Sequence, residues 1–229
     1  MLRMESVSVP GALRGASFSA AEGTIVSLYV EDDDAIEPIA LTLSGQRRPD
    51  AGRVVVDGAD TASLDPAARD RVMALLPEDP RSLLIPRFTV MENMSLAYSY
   101  GQGHPLRSAP GRAESALFRA ALGEMGMESA LDLRADGLSA EHACLLALRM
   151  ALMALPKALI AVEPRMALNP ARSRAYLRAV WRFTRIQPVT TVMITTGADA
   201  AKAFGDRCFR VSAGQIIMEP IADGAASLH

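Results

Sequence analysis

Alternation and apolar runs divide the chain into three parts. MESVSV (4–9) alternates apolar and polar positions, while TIVSLYV (24–30), behind Glu22-Gly23, is continuously apolar, the pattern of a strand buried on both faces. PIALTLSG (38–45) predicts a helix with Gly45 near its end, and RPDAGRVVVDGAD (48–60) a strand entered from a turn at Asp50-Ala51-Gly52. DPAARDRVM (65–73) predicts a short helix opened by Asp65-Pro66, followed by a strand at ALLP (74–77). From about 81 to 140 the spacing becomes helical. FTVMENMSLAY (88–98) after Thr89 and AESALFRAALGEMGM (113–127) read as helices, separated by a turn-rich surface loop, SYGQGHPLRSAPG (99–111). CLLALRMALMAL (144–155) reads as a buried helix that ends before Pro156. Strands and helices then alternate again: ALIAV (158–162), ARSRAYLRAVWRFTR (171–185), TTVMITT (190–196), DAAKAFG (199–205), and a hairpin over CFRVSAGQIIME (208–219) turning at Ala213-Gly214. Such alternation predicts an α/β fold with a mainly parallel sheet covered by helices on both sides. A small antiparallel β part lies near the N-terminus, and a helical insertion covers about 85–150 of a single domain spanning 1–229.

Composition narrows the function classes. The chain has 229 residues, half of them hydrophobic and 22% charged, enough to bury a sizeable core. A net charge of −2 gives no electrostatic footprint for nucleic acid or an anionic bilayer, and 5% aromatics leave few stacking platforms. No apolar run of about 20 residues is present, so direct membrane insertion is not expected. The N-terminus lacks the basic-then-apolar pattern of a signal peptide. Cys144 and Cys208 have no metal or redox spacing and fit free thiols in a reducing compartment. His142 and Cys144, two apart, do not share a helix face, and no metal site is expected.

Five segments occur in an order that resembles the ATPase subunits of ABC transporters, and together they cover almost the whole chain. They are AEGTIVSL (21–28), SGQRRPDAGRVVVDGAD (44–60), LLPEDPRSLLIPRFTVMENMSLAY (75–98), GLSAEHACLLALRMALMALPKALIAVEPRMALNP (137–170) and ITTGADAAKAFGDRCFRVSAGQII (194–217). The pattern is most similar to ATPases of bacterial uptake systems that use binding proteins. The resemblance implies a P-loop NTPase-like fold, ATP and Mg²⁺ as ligands, a permease as partner, and pairing with a second cassette.

The residues that carry that chemistry in the family are mostly replaced here. The phosphate loop, GxxxxGK[ST], works because glycines let backbone N–H groups wrap phosphates while Lys and a hydroxyl reach phosphate and Mg²⁺. The matching stretch is VEDDDAIEP (30–38): Val30 and Ala35 replace the glycines, Ile36 the Lys and Glu37 the hydroxyl, and Pro38 is tolerable in a first helical turn. Glu31, Asp32, Asp33 and Asp34 bring four carboxylates to an anion seat. Like charges about 4 Å apart repel by about 1 kcal/mol in water and several-fold more where partly dry. These carboxylates read as caps of the following helix or, alternatively, as a divalent-cation site with Asp32 and Asp34 as ligands. By the same resemblance Glu78 stands for the Q-loop glutamine, and Ser139, Ala140, Glu141 and His142 stand in the signature. Val162 stands for the Mg²⁺-binding Asp, Asn169 for the D-loop Asp and Thr196 for the switch His. Glu163 keeps the position of the general base, here vestigial. Ser139 also reads as a plain helix N-cap. PGALRG (10–15) offers no aromatic for adenine.

The resemblance therefore implies a catalytically inactive cassette that binds no cofactor, with weak ATP/Mg as the alternative. It would sit on the cytoplasmic face of the membrane and scaffold a permease together with an active ATPase or a second copy. An ATP-driven subunit with altered motifs and a soluble regulator that kept the fold are the competing readings. The permease groove falls by resemblance on the stretch after Glu78, including Arg81, Leu84, Arg87 and Phe88. There PRSLLIPRF mixes apolar residues with prolines, a composition that also suits packing within the insertion.

Overall fold

The computed structural model describes residues 1–104 and 109–221. They form two compact units. The first comprises residues 1–77, 156–163 and 177 onward, and the second residues 78–155 and 164–176.

The first unit holds two sheets. Strands β1 (Leu2–Val9), β2 (Leu13–Ala20), β4 (Ala51–Val56) and the short β5 (Ala59–Asp60) form an antiparallel sheet in the order β2-β1-β4-β5. A bulge interrupts β1, where Ser6 takes φ +49 and the register shifts after Met4. Gly52 (φ +77) faces this bulge, and a Cβ there would stand 2.3 Å from the carbonyl oxygens of Glu5 and Ser6, so only glycine fits. The second sheet has the order β10-β9-β3-β8-β7-β6, from β3 (Ile25–Val30), β6 (Met73–Leu76), β7 (Ala158–Val162), β8 (Thr190–Thr195), β9 (Arg207–Ser212) and β10 (Gln215–Glu219). All its pairings are parallel except the closing β9–β10 hairpin. β7 and β8 are buried at every position, which is why their sequences are continuously apolar or carry only buried threonines.

Between the sheets runs α1 (Asp33–Leu43), whose Ile36, Ile39, Ala40 and Leu43 join Val30, Val162 and Ile194 in one core. The helix starts five residues before the 38–45 expected from its apolar pattern. Asp32 caps it by accepting the N–H of Asp34, so the acidic run becomes its first turn. Pro38 consequently lies inside the helix and not in its first turn. Its missing N–H leaves the Asp34 carbonyl without its helical partner, a small loss because Asp34 is exposed to water. Helices α2 (Pro66–Val72) and α7 (Ala198–Phe204) complete this unit.

The second unit is helical: α3 (Val90–Gly101), α4 (Arg112–Gly123) and α5 (Ala140–Met153), joined by 3₁₀ turns. Thr89 and Glu92 close a reciprocal capping box on α3. Buried Asn93 accepts the N–H of Ile85 and donates to the carbonyls of Ile85, Phe88 and Thr89, fixing the segment that leads into the helix. Gly101 meets α5 at its end, and a Cβ there would lie 2.5 Å from Ala154 Cα. The unit is wider than the expected 85–150. The 3₁₀ turn Pro80–Leu83 packs on α5, and the chain returns with residues 164–176. α4 stops at Gly123 rather than 127, and α3 absorbs residues 99–101 of the expected loop, of which 105–108 lie outside the described residues. The helix α6 (Pro170–Ile186) continues from this second unit into the first.

Candidate functional site

The segment matched to a phosphate loop bonds three of its backbone donors within the chain. Glu31 N–H donates to the Val211 carbonyl (3.2 Å), Asp34 N–H to Asp32 Oδ1 (3.1 Å) and Ala35 N–H to the Asp32 carbonyl (3.0 Å). The Glu31, Asp32, Asp33 and Asp34 side chains are exposed, as is Glu37, whereas Val30, Ala35 and Ile36 are buried. Ile36, at the position of a phosphate-binding Lys, is only 4% exposed and packs in the core. Arg210 on β9 reaches Glu31 (3.2 Å) and Glu219 (3.0 Å) with one guanidinium, and Lys202 reaches Glu219 from the other side. Hydrogen bonds from Ser212 and Arg210 hold the Glu31 carboxyl below the usual glutamate range. Arg210 does the same for Glu219. A cavity of about 140 Å³ opens beside the loop, lined among others by Gly11, Ala12, Arg14, Glu31, Asp32 and Gly214. Small-molecule sites commonly have about 300–1,000 Å³. Among the described residues no group of three or more His, Cys, Asp or Glu is arranged to hold a metal ion. Of the two carboxylates read alternatively as cation ligands, Asp32 and Asp34, the first spends one oxygen on the helix cap.

At the ends of β7 and β8, Val162 is buried in the core and Glu163 follows it at the surface of the sheet. Glu163 N–H donates to the Ile194 carbonyl (2.8 Å), and its carboxylate accepts a short hydrogen bond from the Thr195 hydroxyl. Thr195 in turn accepts the Gly197 N–H (3.0 Å). The resemblance points to Thr196, whereas the residue that engages Glu163 is its neighbour Thr195. β8 pairs Ile194 with Val162, so the buried Thr195, last residue of that strand, stands next to position 163. Only the strand register could have identified it.

The second unit gathers the remaining positions. Glu78 pairs with Arg165 at 3.2 Å. Ser139 caps α5 through the His142 N–H (3.2 Å), Ala140 opens that helix, and Glu141 lies 3.7 Å from Arg172. Asn169 caps α6, its side chain accepting the Arg172 N–H (3.0 Å). Each of these polar groups thus has a local structural partner.

A groove of about 390 Å³ opens on the same unit. Leu84, Pro86, Leu138, Ala140 and Ala143 give it an apolar lining, with Asp79, Arg81, Ser82 and Asp136 at polar positions. Arg81 forks onto Asp79 (2.7 and 2.9 Å), and Arg134 does the same onto Asp136, so the rim charges are largely neutralised. Of the four residues expected to line a docking groove, Arg81 and Leu84 do so. Arg87 and Phe88 are not among its lining residues; the Phe88 backbone bonds Ala135 and Ile85. The opposite wall, from Ala135 to Ala143, is about fifty residues away in sequence and carries no composition signal of its own.

No established family model matches the chain. It is 29% identical over 231 residues to the thiamine import ATP-binding protein ThiQ of Jannaschia sp. strain CCS1, covering 99% of this chain and 96% of that protein. It is 24% identical over 204 residues to the tyrosine transport ATP-binding protein of Clostridioides difficile, covering 89% and 81%. Among solved structures, CbiO1 from Clostridium perfringens, described as part of the ABC transporter complex CbiONQ, superposes with a TM-score of 0.78 at 18% identity, covering 96% of this chain and 88% of that one. The chain has the fold of ABC-transporter ATP-binding cassettes and is related in sequence, over nearly its whole length, to the nucleotide-binding subunits of that family.

Proposed function

We propose that this chain is a non-hydrolysing cassette subunit of an ABC transporter, which scaffolds a permease and pairs with an ATPase-competent cassette or with a second copy. One observation carries the reading: at the N-terminus of α1 the Asp34 and Ala35 N–H donors are engaged by Asp32, and the cavity beside them is only about 140 Å³. Asp32 occupies the helix cap, Ile36 is packed in the core, and the exposed Glu31 and Asp32 line the cavity together with Arg14. Val162 offers no oxygen to Mg²⁺, and Glu78 is paired with Arg165. ATP with Mg²⁺ does not fit these residues. Among the described residues no helix is long and apolar enough to cross a membrane, in keeping with a subunit bound peripherally at the inner face of the cytoplasmic membrane. The apolar groove of the second unit, with its self-neutralised rim, suits a short amphipathic segment of the permease. The names of the relatives, import and transport ATP-binding proteins, support the transporter context.

A second reading, an ATP-binding subunit that powers uptake, is favoured by Glu163, which keeps a hydrogen-bonded carboxylate at the position of the general base. Titration calorimetry with ATP and Mg²⁺ separates the two. The scaffold reading expects no heat of binding at millimolar nucleotide and no phosphate release. Low-micromolar affinity, or turnover abolished by Glu163→Gln, refutes it.

A further inference from the structure

A surface of single sign runs along α6, although the chain as a whole is nearly neutral. The helix contains five arginines and no acidic residue. Arg174, Arg178 and Arg182 follow one another at four-residue spacing, are exposed, and have no carboxylate partner among the described residues. Four residues of helix rise about 6 Å, so the three side chains leave the helix along a line about 12 Å long. Like charges at this spacing repel, and the fold gains nothing by setting them side by side. Three residues before each arginine stands an alanine, Ala171, Ala175 and Ala179, so a second row lies against the first. Ala171 and Ala175 are exposed and Ala179 is half-buried, and one turn past Arg182 the side chain of Ile186 is exposed as well.

The chain's own carboxylates close the row at both ends. Arg172, before it, approaches Glu141 at 3.7 Å, and Arg185, after it, is bonded to Asp206. An extended polyanion, whether a nucleic-acid strand or a plane of lipid headgroups, would run past three arginines into those acidic groups. A single phosphate is held by arginines that converge on it, whereas these stand in line. Carboxylates four residues apart on a helix share the repeat of about 6 Å, and the planar forks of guanidinium and carboxylate match. The alanine row beside the arginines leaves a shallow groove in which a second helix can settle at an interaxial distance of about 8–10 Å.

We propose that the exposed face of α6 docks an amphipathic helix of another protein, one that sets Asp or Glu at positions i, i+4 and i+8 over the arginine row and small apolar residues over the alanine row. Charge complementarity selects this occupant. The counter-charges to Arg174, Arg178 and Arg182 are missing among the described residues, and the length and pitch of the row are those of about two turns of an acidic helix. The inference goes beyond the proposed role in transport, since it needs neither nucleotide nor permease nor a second cassette.

Fluorescence anisotropy of the full chain with a defined probe tests it. The probe is a stapled, fluorescein-labelled alanine-based helix with three glutamates at four-residue spacing. A control helix of the same composition has its glutamates spread around the circumference. The in-line probe is expected to bind at low ionic strength about fivefold or more tightly than the control, and to weaken as salt is added. Arg178→Glu with Arg182→Glu should weaken it about tenfold or more, and a probe with lysines in place of the glutamates should then bind the altered chain better than the parent. Ala175→Trp keeps every charge but fills the alanine row, and it should weaken binding to a similar extent, a loss that attraction between charges alone does not produce. Circular dichroism checks folding, and Arg178→Gln with Arg182→Gln replaces the reversed pair if that disturbs α6, with weakened binding again expected. An in-line probe that fails to bind at low salt overturns the proposal. So do equal binding of the control and unchanged affinity in a folded Ala175→Trp chain, either of which would leave only unspecific attraction. Tighter binding of a short single-stranded oligonucleotide, or of vesicles rich in phosphatidylserine, overturns it in favour of another class of partner.

Discussion

Restoring a lysine at position 36 tests how completely the phosphate-binding chemistry has been absorbed into the fold. Ile36 is 4% exposed and packs with Ile39, Leu43 and Val30. Removing a fully buried isoleucine from that environment forfeits about 1.5–3 kcal/mol of apolar burial. The incoming ammonium cannot stay in the core, and its four-carbon stem must carry it out toward Asp32 and Glu37. A cation in the first turn of a helix is further disfavoured by about 0.3–1 kcal/mol. The nearby exposed carboxylates return a similar amount, the usual worth of surface pairs. Ile36→Lys is therefore expected to destabilise the chain by about 1.5–3 kcal/mol, lowering the melting temperature by about 3–12 °C for a protein of this size. It should bring no ATP affinity, because the donors of Asp34 and Ala35 remain engaged by Asp32. Urea denaturation and calorimetry measure both quantities, with Ile36→Val as the packing control. A variant as stable as the parent that binds ATP in the micromolar range would show that the seat was vacant and only its cation missing. Replacing the whole 30–38 segment by a glycine-rich phosphate loop should do what the single change cannot.

Gly101→Ala, whose Cβ would fall 2.5 Å from Ala154 Cα, should cost about 1–3 kcal/mol in denaturant melts, and no loss would mean the α3–α5 approach is looser than described. Arg210→Met should destabilise at neutral pH. Glu31 and Glu219 titrate below their ordinary 4.5 when folded, so their contribution is present above that pH and lost as it falls through the folded values. The wild-type and mutant stability curves should accordingly converge in acid, and a gap that persists there would assign the effect to packing. Ala140→Trp, which fills the apolar groove, should abolish co-purification with the permease while the melting temperature changes little; retained binding by the folded variant rejects the groove as the docking site.

Local rules made much of the fold readable. Thr89 and Glu92 announce the start of α3 by their three-residue spacing, and the runs ALIAV and TTVMIT are strands because both of their faces are covered. The beginning of α1 was misplaced because apolar periodicity starts only at Ile39 and Pro38 looks like a first-turn residue. The cap that sets the true start is a single aspartate in a row of acids, any one of which could have served. Contacts between distant segments were out of reach for a different reason. Nothing near Glu78 in sequence announces Arg165, and nothing near Leu84 announces Ala143, because tertiary packing alone joins them. The Thr195–Glu163 bond depends on strand register, and a shift of one residue moves a side chain to the other face of the sheet.

The closure of the 30–35 segment by Asp32 and by the carbonyl of Val211 has a consequence for mass action. A ligand that binds only the folded state stabilises it by an amount that grows with the logarithm of its free concentration, so an ordinary cassette is more robust when nucleotide is plentiful and weaker when it is scarce. Here the occupying groups are covalently part of the chain and have no free concentration. On the proposed non-hydrolysing reading, stability contributed at this point would be constant, whatever the energy charge of the cell. A permease held by such a subunit would keep one invariant support through every turnover, while the opposing cassette alone would respond to fuel.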